Sequence, residues 1–66
     1  MNIIVKNGKG YSYFDRVEAV ARKGDFIIFD QEVKEVKSVV WYPDYDYIKT
    51  HHTSNIGNIT AFIWVE

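Results

Sequence analysis

Four consecutive large apolar residues stand between a Gly24 turn signal and an acidic stop in the stretch Asp25-Phe26-Ile27-Ile28-Phe29-Asp30. On a strand, neighbouring side chains point to opposite faces of the sheet, so Phe26 and Ile28 take one face while Ile27 and Phe29 take the other. Both faces are apolar. Such a strand is expected in the middle of a small curved sheet that closes over itself or is covered on both sides.

The chain has 66 residues, enough for a single domain over residues 1–66 and no more. A domain of this size buries only about 60% of the surface its unfolded chain exposes, so its stability needs help. Without cysteine there is neither a disulfide nor a thiolate metal site, which suits a reducing compartment. The help must come from aromatic rings or from a second subunit. Five Tyr, four Phe and two Trp are available, and each such ring buries roughly 150–250 Å². The formal charge is −1, with acids and bases interspersed, so long-range attraction to nucleic acid or to an anionic membrane is not advertised. The opening apolar run is strand-length, and no window approaches the roughly 20 apolar residues of a membrane span. The expected location is cytoplasmic.

Taken in order, Ile3-Ile4-Val5 reads as a strand. Asn7-Gly8 and Gly10 supply the positive φ that hairpin turns favour, and Tyr11-Ser12-Tyr13-Phe14 forms the second arm. Asp15 to Lys23 reads as a hairpin arm leading into the 26–30 strand. The alternative is a short helix, with Asp15 as cap, Glu18 at the capping-box position and Arg22-Lys23-Gly24 as its end. Residues 31–36 are expected to make a turn and an irregular or helical piece, followed by a strand over about 37–42 that Pro43-Asp44 ends. Residues 45–53 read as a polar strand, either an edge or a projecting hairpin arm. A turn cluster occupies 54–58. In the last strand, 59–65, Ile59, Ala61, Ile63 and Val65 are expected to share a face.

The fold expected is all-β: a small antiparallel meander of five or six strands curled into a barrel or half-barrel. Its core is expected from Ile4, Val17, Val20, Phe26, Ile28, Phe29, Val36, Val40, Ile48, Ile59, Ala61, Ile63 and Val65.

The order Phe14-x-x-Val17-x-x-Val20, then Gly24-Asp25-Phe26-Ile27-Ile28-Phe29-Asp30, then Val33-x-x-Val36-x-x-Val39-Val40-Trp41 resembles that of short, uncharacterised β-meander accessory proteins of phages and mobile elements of Gram-positive bacteria. The resemblance runs from Phe14 to Tyr42 and carries over no functional residue. It implies a small accessory protein.

Candidate chemistry is sparse. His51 and His52, adjacent on a strand, face opposite ways and cannot share a metal, whose site needs three or four ligands. Asp44, Asp46 and Tyr47 read as turn chemistry before they read as an acid/base pair. Asn7-Gly8-Lys9-Gly10 lacks the length and the Lys-Ser/Thr ending of a phosphate loop. No catalytic constellation, metal site or cofactor is therefore expected. The run Trp41-Tyr42-Pro43-Asp44-Tyr45-Asp46-Tyr47 suits protein recognition, because Trp and Tyr are enriched among interface anchors and carboxylates can meet a basic partner. The competing explanation is that these rings complete the core.

The reading is a non-enzymatic protein-binding accessory factor, acting by occupying a host protein's surface. Its recognition site is placed at Trp41, Tyr42, Asp44, Tyr45, Asp46, Tyr47, Lys49, His51 and His52, and self-association into a homodimer is open to it. The alternative is a small-barrel nucleic-acid binder that stacks bases on Tyr11, Tyr13, Tyr45 and Tyr47 between flanking lysines and arginines. A weaker third reading is a small-ligand binder with a cleft between subunits.

Overall fold

The computed structural model describes residues 1–51 and 58–66. It is an all-β fold with one short helix. Five strands, β1 (Ile3–Lys6), β2 (Tyr11–Phe14), β3 (Phe26–Phe29), β4 (Glu32–Trp41) and β5 (Ala61–Val65), form a single sheet in the order β2-β1-β5-β4-β3. The sheet curls into a half-barrel. The curl brings Tyr11 and Ser12 of β2 and Phe29 and Asp30 at the end of β3 to the rim of one cleft of about 230 Å³. The helix α1 (Tyr45–His51) lies between β4 and β5 in the chain.

Three of the four pairings are antiparallel, as expected, and the fourth, β1 with β5, is parallel. That parallel pair is the middle of the sheet. Its runs Ile-Ile-Val and Ala-Phe-Ile-Trp-Val are apolar on both faces, as a strand covered on both sides requires. One face carries Ile3, Val5, Val36, Ala61, Ile63 and Val65 with Phe29, and the irregular segment after β2 lays Val17, Val20 and Ala21 over it. The other carries Ile4 and Phe62 with Ile59, covered by Tyr47 and Ile48 of α1. Ile59 thus belongs to the helix-side cluster and does not share a face with Ala61, Ile63 and Val65.

The run Phe26–Phe29, expected at the centre, is an edge strand. β4 explains why. Its first part, Glu32–Glu35, pairs with β3 and its second, Val36–Trp41, pairs with β5, with a register shift between Val36 and Ser38 inside the second pairing. The β3–β4 hairpin therefore overhangs the body, past the end of β5. Ile27 and Phe29 still reach the core. Phe26 and Ile28, however, are 69% and 78% exposed, and neither belongs to the core. Ile3, Val5 and Phe62 take that role.

Three other local expectations are corrected. Residues 15–23 form neither a strand arm nor a helix. Arg22 to Asp25 make a turn closed by the Asp25 N–H on the Arg22 carbonyl, with Gly24 at φ 94°. A turn with Gly at that position accounts for the helix-ending look of Arg22-Lys23-Gly24. Gly24 N–H and Asp25 C=O both bond to Val36, two residues opposite one, and this bulge steers the chain into β3. The β1–β2 turn does not use positive φ at Gly8 or Gly10. Instead the Asn7 side-chain oxygen accepts from the N–H groups of Lys9 (2.8 Å) and Gly10 (2.9 Å), an Asx turn. Finally, β4 begins directly at Glu32, because Asp30 and Gln31 (φ 55° and 65°) form a two-residue hairpin turn of the type whose twist matches the flanking strands.

Candidate functional site

The segment expected as a polar strand over 45–53 is a helix through His51, and residues 52–57, including His52 and most of the expected turn cluster, lie outside the described residues. Pro43 ends β4 as expected. Asp44 then begins the helix: its Oδ1 accepts from the Tyr47 N–H (2.8 Å) and its carbonyl from the Ile48 N–H (3.1 Å). Such a cap satisfies donors that a helix start leaves without partners. Asp44 is thus committed to structure. Tyr45, two residues before Tyr47, is on a different side of the helix, so the two tyrosines do not share a face.

Tyr47 packs into the sheet. Its ring stacks on His51 (centroids 4.2 Å apart) and meets Phe62 edge-on (5.4 Å), and its hydroxyl accepts from Trp64 Nε1 (2.8 Å). His51 Nδ1 lies 2.9 Å from the Tyr47 carbonyl oxygen, and its ring is edge-on to Trp64 at 5.6 Å. Lys6 Nζ donates to the His51 carbonyl and sits 5.6 Å from the centre of the Trp64 ring. A cation at the last carbonyls of a helix opposes the negative end of its dipole, and the indole face adds a cation–π contact. Among the expected site residues, Tyr47 and His51 therefore lock α1 onto the sheet.

Trp41, Tyr42 and Tyr45 remain on the surface, 50%, 76% and 67% exposed. Trp41 and Tyr42 lie with ring centroids 6.2 Å apart at the end of β4. Tyr42 has φ 50°, and its N–H donates to the Thr60 carbonyl (2.7 Å). The corner between β4 and α1 is therefore fixed at one end by that bond and at the other by the Asp44 cap. Asp46 and Lys49 are exposed on the helix beyond it.

Two parts of the surroundings escaped the sequence reading. Lys6 and Trp64 join the Tyr47–His51 pair from the middle strands, a pairing with no local signal. The helix did have one: Pro-Asp ahead of Tyr47, Ile48 and His51, whose spacing marks one helical face. The exposed apolar face of the β3–β4 hairpin was missed because its residues were assigned to the core.

Among the described residues no three His, Asp or Glu side chains come together as a metal site would require, and no helix is long and apolar enough to cross a membrane. Among the described residues, the ionisable side chain with a clear perturbation is Glu32, held below the usual carboxylate range by its hydrogen bond to Lys34 and by the charge of that lysine. It is exposed and points to no chemistry. Comparison with protein-family models, with curated proteins and with solved structures finds no match to this chain.

Proposed function

We propose that this chain is a non-enzymatic protein-binding accessory factor that recognises its partner through the corner between β4 and α1. Trp41, Tyr42 and Tyr45 are the anchors, with Asp46 and Lys49 at the rim. The supporting observation is that three large rings stand in water within five residues of chain, on a corner fixed by backbone and cap hydrogen bonds. Rigid aromatics lose little conformational entropy on docking, and residues of this kind dominate measured interface energies. The phage-like resemblance of the sequence agrees with a small factor that occupies a host protein's surface.

The test is affinity capture from a host lysate with the wild-type chain and with the triple variant Trp41→Ser, Tyr42→Ser, Tyr45→Ser. The expected result is a specific protein held by the wild type and lost by a variant that keeps its circular dichroism spectrum. An unchanged set of captured proteins would refute the reading, as would a triple variant that unfolds.

A nucleic-acid interface has one observation in its favour. The cross-strand register puts Tyr13 beside Ile4 and Tyr11 beside Lys6 on the face that also carries Trp64. Against it, the Lys6 ammonium is already engaged by the His51 carbonyl and the indole. Binding of an oligonucleotide that weakens steeply with salt would favour this second reading over the first.

A further inference from the structure

The strand β3 is the outer strand of the sheet. With a two-residue turn at Asp30-Gln31, Phe29 and Ile27 exchange their backbone hydrogen bonds with Glu32 and Lys34, so the N–H and C=O groups of Phe26 and Ile28 point away from β4. Nothing among the described residues pairs with them. The side chains of the same two residues, with Val33 (69% exposed) directly across from Ile28, form an apolar strip on the hairpin. Natural edges of this kind are usually blunted by a proline, a lysine or a bulge within the strand, and Phe-Ile-Ile-Phe has none of these.

What it has is an acid at each end, Asp25 and Asp30. Lys34 pairs with Glu32 (2.8 Å) and Lys37 with Glu35 (3.3 Å), whereas neither aspartate makes an ion pair among the described residues, Asp25 Oδ2 accepting the backbone N–H of Arg22 (2.8 Å). The pattern disfavours a second copy of the same edge. Only Phe26 and Ile28 offer outward backbone groups, so an antiparallel second copy can pair only by setting these residues against each other, and each such register leaves an aspartate of one copy facing an apolar side chain, Phe26, Ile27 or Phe29, of the other.

We infer that the outer edge of β3 is a strand-addition site for an extended peptide with a short apolar core and a basic residue at each end. The peptide's backbone pairs with Phe26 and Ile28. Its side chains on one face cover the apolar strip, and its two cations meet Asp25 and Asp30 across a span of roughly 17 Å, five residue steps of an extended chain. This surface is separate from the rings at the β4–α1 corner, and its test is independent of theirs.

The experiment is fluorescence anisotropy with the intact protein and labelled Lys-Thr-Val-Thr-Val-Lys, whose lysines stand five positions apart as Asp25 and Asp30 do. Comparison peptides replace both lysines with glutamate, or carry backbone N-methyl groups at alternate positions along either edge. Saturable binding is expected for the basic peptide, weakened about tenfold in the Asp30→Asn variant, which keeps a residue tolerant of positive φ. It is expected to be lost in Ile28→Pro, which removes an outward N–H without breaking the ladder to β4. Phe26→Lys, at an exposed position, serves if the proline variant fails to fold. Equal binding of the glutamate peptide, or of both N-methylated peptides, would overturn the inference. So would sedimentation equilibrium showing a dimer that Ile28→Pro or Phe26→Lys dissolves.

Discussion

Two tyrosines two residues apart should behave as opposites, because the helix separates them. Replacing Tyr47 with Ser removes a ring stacked on His51, an edge-on contact with Phe62 and the acceptor for Trp64 Nε1. Aromatic pairs are worth about 0.5–1.5 kcal/mol each beyond burial, and an intramolecular hydrogen bond about 1 kcal/mol. The loss is then about 2–4 kcal/mol. A chain of this length has a total stability of about 3–10 kcal/mol, at 0.05–0.15 kcal/mol per residue, so Tyr47→Ser should remove a large share of it. Tyr47→Phe keeps the ring and loses only the hydroxyl, at about 1 kcal/mol. Tyr45→Ser, on the exposed side, should stay within about 0.5 kcal/mol. Urea unfolding followed by circular dichroism measures all three. With a slope of about 1 kcal/mol per molar urea for so small a domain, the midpoint should fall by about 1 M for Tyr47→Phe, by about 2 M or more for Tyr47→Ser, and hardly at all for Tyr45→Ser. A Tyr47→Ser protein as stable as Tyr45→Ser would refute the packing of α1 on the sheet.

Gln31 holds φ 65° in the β3–β4 turn, a conformation that costs a side-chain-bearing residue about 1–2 kcal/mol and glycine nothing. After subtracting the unfolded-state freedom that glycine adds, Gln31→Gly should stabilise by up to about 1 kcal/mol, which a thermal melt would show as a rise of several degrees; a fall in Tm would contradict the turn assignment. For Glu32, the hydrogen bond to Lys34 lowers the folded pKa below its ordinary value. The stability this contributes is present above the ordinary carboxylate range and is lost as pH falls through the folded pKa. Following the Glu32 carboxyl by NMR against pH should show a midpoint below that of the same residue in Lys34→Met, and coincident midpoints would remove the pairing.

The alternating and two-faced apolar patterns were enough to expect an all-β sheet, and they placed Ile4 and, in the last strand, Ala61, Ile63 and Val65 in the core, where the structure has them. They could not rank three similar runs. Phe26–Phe29 carries larger side chains than Ile3–Val5, yet Ile3–Val5 lies inside the sheet and Phe26–Phe29 at its edge, because position in a sheet depends on which strands remain available to pair. That choice was made by the parallel contact between the first and last strands, some 58 residues apart in register, and by the way β4 divides its length between β3 and β5, neither of which has a local signal. The helix was a different kind of miss. Asp44 was read as a turn residue, and a turn and a helix cap use the same side-chain-to-backbone hydrogen bond; only the spacing of Tyr47, Ile48 and His51 separates them. The site divided along the same line. Once 45–51 is a helix, one face must cover the sheet, so Tyr47 and His51 are drawn inward while Tyr45 stays out. A row of aromatics that looks uniform in sequence thus becomes two populations: rings that hold the helix down, and rings that are left to meet something else.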